Sequence, residues 1–279
     1  MLHARRSYDV TAMARAGRPE LPVPVPGAVA GLAAGDAIEP VWCNELGGLT
    51  FRIGAGTPDE RFVKWAAHGT PEIDLAAEAT RLAWLKGRAA VPDLLDHGAD
   101  EEGEWLATAA VRATSAVEPP WAARPATAAA AIGSGLRRLH DSLGPEECPF
   151  SWSLETRLSR VEELVAHGES PPDLSPEHRH LTVAGARDLL SSPPPIDRLV
   201  VCHGDPCAPN TLIANDGTFA AHVDMGRLGV ADRWADLAVA AWSTEWNYGP
   251  GYATVVYDAY GIAPDTERIA YYRLLWDLA

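Results

Sequence analysis

The order of patterns along this 279-residue sequence predicts an α+β fold in two lobes, a small β-rich one followed by a larger, mostly helical one. Three observations carry that prediction. Short β-branched or aromatic runs, separated by glycine-rich turns, crowd residues 41–65. Helical periodicity takes over from about residue 126 and persists for some 80 residues with hardly any strand signal. Pro119-Pro120 stands where one character gives way to the other. The expected organisation is a frayed, polar tail over 1–20, a first lobe over 21–108 and a second over 109–279, with the connection near residues 108–113.

Each element follows from its residues. Pro22, Pro24 and Pro26 lead into an Ala-rich segment, Gly27 to Ala34, that reads as a short helix. Val41 to Cys43, Leu49 to Ile53 and Arg61 to Trp65 are runs of an antiparallel meander, broken at Gly47-Gly48 and at Gly54 to Pro58. Over Pro71 to Arg88 the apolar residues Ile73, Leu75, Ala76, Ala79, Leu82, Ala83 and Leu85 recur with helical period. Strands are expected near Val91 to Leu95 and Trp105 to Val111, and helices over Ala126 to His140 and Leu154 to His167. A last hairpin runs from Arg198 to Cys202 through Thr211 to Ala214, an Asn215-Asp216-Gly217 turn and Ala220 to Val223.

Composition narrows the function. With 23 Lys and Arg against 38 Asp and Glu, the formal charge of −15 repels nucleic acid and anionic membranes and favours a cationic partner. No run approaches 18 uncharged apolar residues and the N-terminal stretch lacks a signal-peptide core, so a cytoplasmic setting is expected. Cys43, Cys148, Cys202 and Cys207 include no C-x-x-C pair and read as packed thiols. Zinc at Cys202 and Cys207 finds no second Cys/His pair at finger spacing.

The densest chemistry lies in His203-Gly204-Asp205-Pro206-Cys207-Ala208-Pro209-Asn210, followed after a hairpin by Asp224-Met225-Gly226. Protein kinases place a base Asp on the catalytic loop, a metal-binding Asn five residues on, and after a short hairpin a D-x-G whose Asp holds magnesium. Asp205 and Asn210 have that spacing, and Asp224 follows the hairpin. Asp205 can orient or deprotonate an attacking hydroxyl, while Asn210 and Asp224 offer the hard oxygens that Mg2+ requires. Any one of these residues alone is more ordinarily a turn or helix cap; the conjunction is what points to chemistry. His203 either braces the backbone or meets substrate.

A kinase also needs a cation on the nucleotide phosphates, held by a helical carboxylate. Only Lys64 and Lys86 among the 23 basic residues are lysines, so a lysine on a strand of the first lobe, in Phe62-Val63-Lys64-Trp65, asks for a chemical reason. Its partner is expected to be Glu78. Glu72, beside Pro71, is explained by capping and by the helix dipole. The segment Cys43 to Thr50, with Gly47-Gly48, stands where a phosphate loop would, without its G-x-G-x-x-G pattern.

The run from His203-Gly204-Asp205 through Asn210 to Asp224-Met225-Gly226-Arg227 and Asp236-Leu237-Ala238 resembles the aminoglycoside phosphotransferases, nearest the 3′- and 3″-enzymes. Phe62-Val63-Lys64, Ala77 to Leu85, Arg138-Leu139-His140, Glu147-Cys148-Pro149-Phe150, Tyr257 to Gly261 and Arg268 to Leu275 share the resemblance, which spans about residue 40 to the end. It implies a bilobal, protein-kinase-like fold and transfer of the γ-phosphate of ATP to a hydroxyl of a cationic antibiotic. In that reading Asp205 is the base, Asn210 and Asp224 bind Mg2+, and Lys64 with Glu78 holds the α/β-phosphates. The backbone of Ala109, Ala110 and Val111 is the hinge for adenine. Asp236 braces the catalytic loop rather than meeting substrate, and Arg227 is a second candidate brace.

The departures lie on the acceptor side. Ser151, Ser243, Trp246 and Trp276 stand where the 3′-enzymes tend to carry carboxylates, leaving Asp277 and Glu245 to pair cationic nitrogens. Fewer acids and more indoles suit an acceptor with fewer amines or a flat guanidine that stacks on Trp246 or Trp276, such as streptomycin or a tuberactinomycin peptide like capreomycin or viomycin. Three alternatives compete. One is a kinase of another hydroxylated metabolite, one a hydrolase with metal on His203, Asp205 and Asp224, and one a nucleotide-binding module without catalysis. The hydrolase leaves Lys64 and Glu78 idle, and the inert module has no need of Asp205 and Asp224.

Overall fold

The computed structural model describes residues 17–19, 22–44, 46–167 and 174–278. Most of the expected tail, and Glu45 of the expected phosphate loop, lie outside the described residues. The chain divides into two units, Met1–Lys86 with Pro92–Val111 and Gly87–Val91 with Arg112–Ala279. Each has its own apolar core.

The first unit runs α1 (Gly27–Ala33), β1 (Ile38–Cys43), β2 (Leu49–Ile53), β3 (Arg61–Ala67), α2 (Leu75–Leu85), β4 (Leu94–Ala99) and β5 (Gly103–Ala109). The strands form one sheet in the order β1-β2-β3-β5-β4, antiparallel throughout. Period-two alternation sorts the faces: Leu49, Phe51 and Ile53 of β2 and Val63 and Trp65 of β3 pack with Val29 and Ala33 of α1, so Lys64 projects from the opposite face. On α2 the buried stripe is Leu75, Glu78, Ala79, Leu82 and Leu85, which places an acid among apolar neighbours at helical spacing.

Two local expectations shift. The expected helix over 71–88 starts later, at Leu75, because Asp74 accepts the Ala77 N–H at 2.7 Å and serves as its N-cap. Glu72 lies outside the helix in left-handed backbone, φ 59°, so capping does not explain it. The strand expected over 91–95 begins instead at Leu94, since Pro92 has no N–H for a sheet ladder.

The second unit contains β6 (Thr114–Ser115), α3 (Pro125–Ser142), α4 (Leu154–His167), α5 (Val183–Leu190), β7 (Leu199–Cys202), β8 (Thr211–Ile213), β9 (Phe219–His222), β10 (Gly229–Asp232), α6 (Trp234–Tyr248), α7 (Ala253–Tyr260) and α8 (Thr266–Leu278). Two small antiparallel sheets, β10-β7 and β6-β8-β9, sit among the helices and carry the loop of interest. The core centres on α3 and α6; eleven consecutive residues of α6, Trp234 to Thr244, are buried. All four cysteines are free thiols.

Helix α3 meets α7 at Gly133, where a Cβ would stand 2.3 Å from the Val256 carbonyl oxygen. Backbone cannot yield there as a flexible side chain can. Gly133→Ala is therefore expected to destabilise the protein by about 1–3 kcal/mol despite alanine's better helix propensity. A thermal unfolding midpoint equal to or above that of the parent would contradict this packing.

Candidate active site

The loop after β7 is held by a buried carboxylate. Asp236, in the first turn of α6 and 0% exposed, accepts the His203 N–H at 2.6 Å and the Gly204 N–H at 3.0 Å. Its Oδ2 also meets His140 Nε2 at 3.0 Å, and His140 Nδ1 meets the Tyr260 hydroxyl at 3.0 Å. Burial pushes the Asp236 pKa up, but the hydrogen bond from the His140 ring, the neighbouring His203 and the Gly204 N–H outweigh it and hold the carboxyl below its usual range. Gly204 has φ +85°, and a Cβ there would lie 2.1 Å from the Arg227 carbonyl oxygen. Only glycine admits both this turn and this approach.

With His203 and Gly204 pinned, Asp205 is set by its neighbours. Its N–H donates to His203 Nδ1 at 3.2 Å, its carbonyl accepts from Asn210 Nδ2 at 3.0 Å, and its Oδ1 is buried with no hydrogen-bond partner. His203 is fully buried, and its Nδ1 accepts from the backbone as a brace would. Further along, Ala208 N–H donates to Ser243 Oγ at 2.8 Å and Ser115 Oγ donates to the Pro209 carbonyl at 2.8 Å. Thus α6 holds the loop at two points, Asp236 and Ser243.

Asn210 and Asp224 come together through the β8–β9 hairpin. Thr211 pairs with His222 in register, and the Val223 N–H donates to the Asn210 carbonyl at 3.0 Å. Asn210 uses its Nδ2 on Asp205, which leaves Oδ1 as the oxygen to offer a cation. Asp224 adopts left-handed backbone, φ 62°, ψ 59°, at the start of the one-turn 3-10 helix Met225–Arg227. A non-glycine residue in that region is held by its surroundings, as at many functional turns. One amide oxygen and one carboxylate on adjacent backbone are a hard-oxygen set that fits Mg2+.

In the first unit Lys64 Nζ lies 2.9 Å from both oxygens of Glu78, the lysine side chain 26% exposed and the acid 5%. Glu78 rather than Glu72 is the partner, because it belongs to the stripe of α2 that faces the sheet. At the end of β5 the Ala109 N–H donates to the Asp93 carbonyl and the Ala110 N–H to the Glu60 carbonyl, and the ladder stops. Among the described residues the Val111 N–H has no such partner.

The C-terminal residues expected to meet an acceptor divide. Asp277 accepts from Ser175 N–H at 3.1 Å, Ser175 Oγ at 2.7 Å and His178 Nδ1 at 2.5 Å, with its side chain 9% exposed. Its carboxylate is consumed inside the fold, which corrects the expectation that it stands free for an ammonium. Trp276 carries the Arg227 guanidinium 5.6 Å over its ring, so that face is taken as well. The Arg227 carbonyl packs on Gly204 while its guanidinium spreads over Trp276 and Trp152. Glu245 pairs with Arg273 at 3.3 Å and keeps 39% exposure. Trp246 is 48% exposed, its ring 4.8 Å from Trp242, over which Arg273 lies at 5.2 Å.

Three further groups bear on chemistry. Burial, then the Asp205 charge, pushes the Cys207 thiol well up, and burial does the same to Cys202, so neither is a thiolate nucleophile. His140, Cys202 and Asp236 bring ligand-type atoms within 4.8 Å of one another, but His140 and Asp236 bond each other and Cys202 Sγ donates to the Asp232 carbonyl; this is the brace, not a metal centre. A cavity of about 330 Å³ lined by Arg88, Arg138, Phe219 and His222 includes none of Asp205, Asn210 and Asp224.

His140, Ser115 and Ser243 escaped the sequence reading as loop supports. Ser243 carries a signal, a buried polar residue directly after the apolar run Leu237 to Trp242 of α6.

His222, 2% exposed, stands edge-on to His203 at 5.1 Å, and burial lowers its pKa to about 3. A depressed folded value means that the unfolded chain takes up the proton first. Stability is therefore expected to fall as pH drops below the unfolded value of about 6.5, by about 2 kcal/mol at pH 5 from this residue. Asp236, also depressed, adds a loss only below about pH 4. Urea midpoints from pH 7 to 5 for the parent and His222→Leu test this: the variant should lose that slope, and identical slopes would assign it elsewhere.

Known proteins resemble this chain in sequence and fold. Residues 45–272 match the model of the phosphotransferase enzyme family. An aminoglycoside 3′-phosphotransferase of Streptomyces fradiae is 34% identical, covering 83% of this chain and 91% of the relative. Among solved structures, an aminoglycoside-3′-phosphotransferase of type VIII superposes with a TM-score of 0.77 at 32% identity, over 90% of this chain and 97% of the other. The aminoglycoside phosphotransferase APH(3″)-Id from Streptomyces rimosus, in complex with ADP and streptomycin, gives 0.69 at 30%, over 91% and 99%. Matched by that model across most of its length, with Asp205, Asn210 and Asp224 on one braced loop and hairpin, this chain belongs to the phosphotransferase enzyme family.

Proposed function

We propose that this chain is an ATP-dependent O-phosphotransferase that inactivates a cationic antibiotic, acting in the cytoplasm. The observation that carries the reading is Asp205: a carboxylate oxygen buried without a partner, on a loop whose backbone is held by Asp236, Ser243 and Ser115. Such an oxygen can accept the proton of an attacking hydroxyl without first giving up another hydrogen bond. Lys64, oriented by both oxygens of Glu78, holds the α/β-phosphates, and the Ala109 carbonyl and Val111 N–H read the adenine edge. Asn210 and Asp224 would hold Mg2+, which when bound neutralises charge on the phosphates.

The acceptor reading changes with the geometry. Asp277 is spent on Ser175 and His178, so Glu245 carries the charge recognition and Trp246 the stacking face. The unit's own arginines show the preference of these indoles, since guanidinium groups lie over Trp152, Trp242 and Trp276. A flat guanidine suits this surface better than a cluster of ammoniums, each of which needs a carboxylate. Streptomycin-like sugars and tuberactinomycin peptides are the acceptors of choice.

Asp205→Asn is expected to cut kcat by about 10²–10⁴-fold while nucleotide affinity is nearly unchanged, because the base acts on the acceptor in the transition state. Unchanged turnover would remove the mechanism. Lys64→Ala should weaken both nucleotide use and turnover, Glu78→Ala should do so more mildly, and Glu72→Ala should leave both near the parent. Specificity constants across streptomycin, capreomycin, viomycin, kanamycin and neomycin test the acceptor. The guanidine-bearing drugs should lead, and Trp246→Ala should raise their KM; better turnover of kanamycin or neomycin would overturn the acceptor reading and leave the kinase reading intact.

A further inference from the structure

Arg157, on the first turn of α4, is 1% exposed, yet among the described residues its Nε, Nη1 and Nη2 have no hydrogen-bond partner. Nε1 of the neighbouring Trp152 is buried and unpartnered in the same way. The Arg157 guanidinium lies 5.2 Å over the Trp152 ring, and the guanidiniums of Arg160 and Arg227 lie against that same indole at 5.8 and 5.7 Å. Burial first, then repulsion from Arg227, brings the Arg157 pKa down to about 10, which leaves the group charged at neutral pH. The carboxylate that acts on it is Asp236, whose oxygens already serve His203, Gly204 and His140.

A buried cation with idle donors is among the costliest features a fold can carry, and in folded proteins such groups are paired. The indole face offsets part of the charge but accepts none of the in-plane N–H groups of the guanidinium. Water could satisfy those donors, but it would not relieve the repulsion between Arg157 and Arg227 around one ring. A negative charge does both. We propose that Arg157 is the centre of a small-anion site in the second unit, sized by its near-complete burial for a halide such as chloride rather than for phosphate. The ion would tie α4 to the segment after Asp224, since Arg227 follows Gly226 directly. Its effect is on the stability of this unit rather than on the acceptor or the nucleotide.

The test uses the full chain, dialysed free of chloride into sodium gluconate and titrated with sodium chloride at constant ionic strength. The unfolding midpoint should rise saturably, by about 5 °C once chloride is one hundred-fold above its Kd. Sodium phosphate at the same ionic strength should give no such rise. Arg157→Met, similar in length and uncharged, should abolish the chloride dependence. Crystals of the parent soaked in sodium bromide should give an anomalous peak within hydrogen-bond distance of the Arg157 guanidinium, a readout that stands even if the variant does not fold. A midpoint that follows ionic strength whatever the anion, or a map with water or a protein carboxylate on Arg157 and no bromide, would overturn the proposal.

Discussion

The loop that carries Asp205 exists in its observed form because one carboxylate is buried and kept charged. Asp236 takes the N–H groups of His203 and Gly204, the two residues that immediately precede Asp205. A carboxylate accepts such bonds more strongly than a neutral group would, and burial sharpens them. His140 makes the burial tolerable by giving the charge a third partner, and Tyr260 orients His140 in turn. Removing one partner of such a buried set typically costs about 3–5 kcal/mol, because the remaining groups stay in the low-dielectric interior unpaired.

From this point the rest of the site follows by backbone connection. Gly204 turns the chain tightly against the Arg227 carbonyl, so the loop and the segment after Asp224 are set against each other without any side chain intervening. The β8–β9 hairpin returns the chain so that the Val223 N–H meets the Asn210 carbonyl, which puts the two hard-oxygen residues just beyond the same end of the two paired strands. Ser243 fixes the middle of the loop from the same helix that carries Asp236. Asp205 is thereby left with a side chain that bonds nothing through its buried Oδ1, the state in which a base is most available. In the first unit the same logic appears in miniature: Glu78 is carried inward on an apolar stripe and meets Lys64 with both oxygens.

The groups proposed to react are legible in the sequence because they depend on local spacing. Asp205, Asn210 and Asp224 sit within one loop and one hairpin, and the strands around Lys64 alternate as surface-exposed sheets do. Lys64 stood out because the chain uses arginine almost everywhere else. The supports were not legible in the same way, since His140 and Asp236 are 96 residues apart and Ala208 and Ser243 are 35 apart, and nothing local announces a contact over that separation. Asp277 misled for the same reason: an acid near the end of a helix looks solvent-facing until Ser175 and His178, about a hundred residues earlier, are found against it. Glu72 and Asp74 differ by a choice of helix start that periodicity alone does not make, and the cap geometry decides it.

The central claim is that Asp236 acts through the backbone of His203 and Gly204, and amide hydrogen exchange of Asp236→Ala resolved at those two residues, read beside steady-state kinetics, tests it most directly. Exchange at His203 and Gly204 should accelerate well beyond that of the α6 amides, kcat should fall, and the KM for ATP should change little. Unaltered protection at these two amides with a falling kcat, or a uniform rise in exchange across the whole second unit, would contradict the claim.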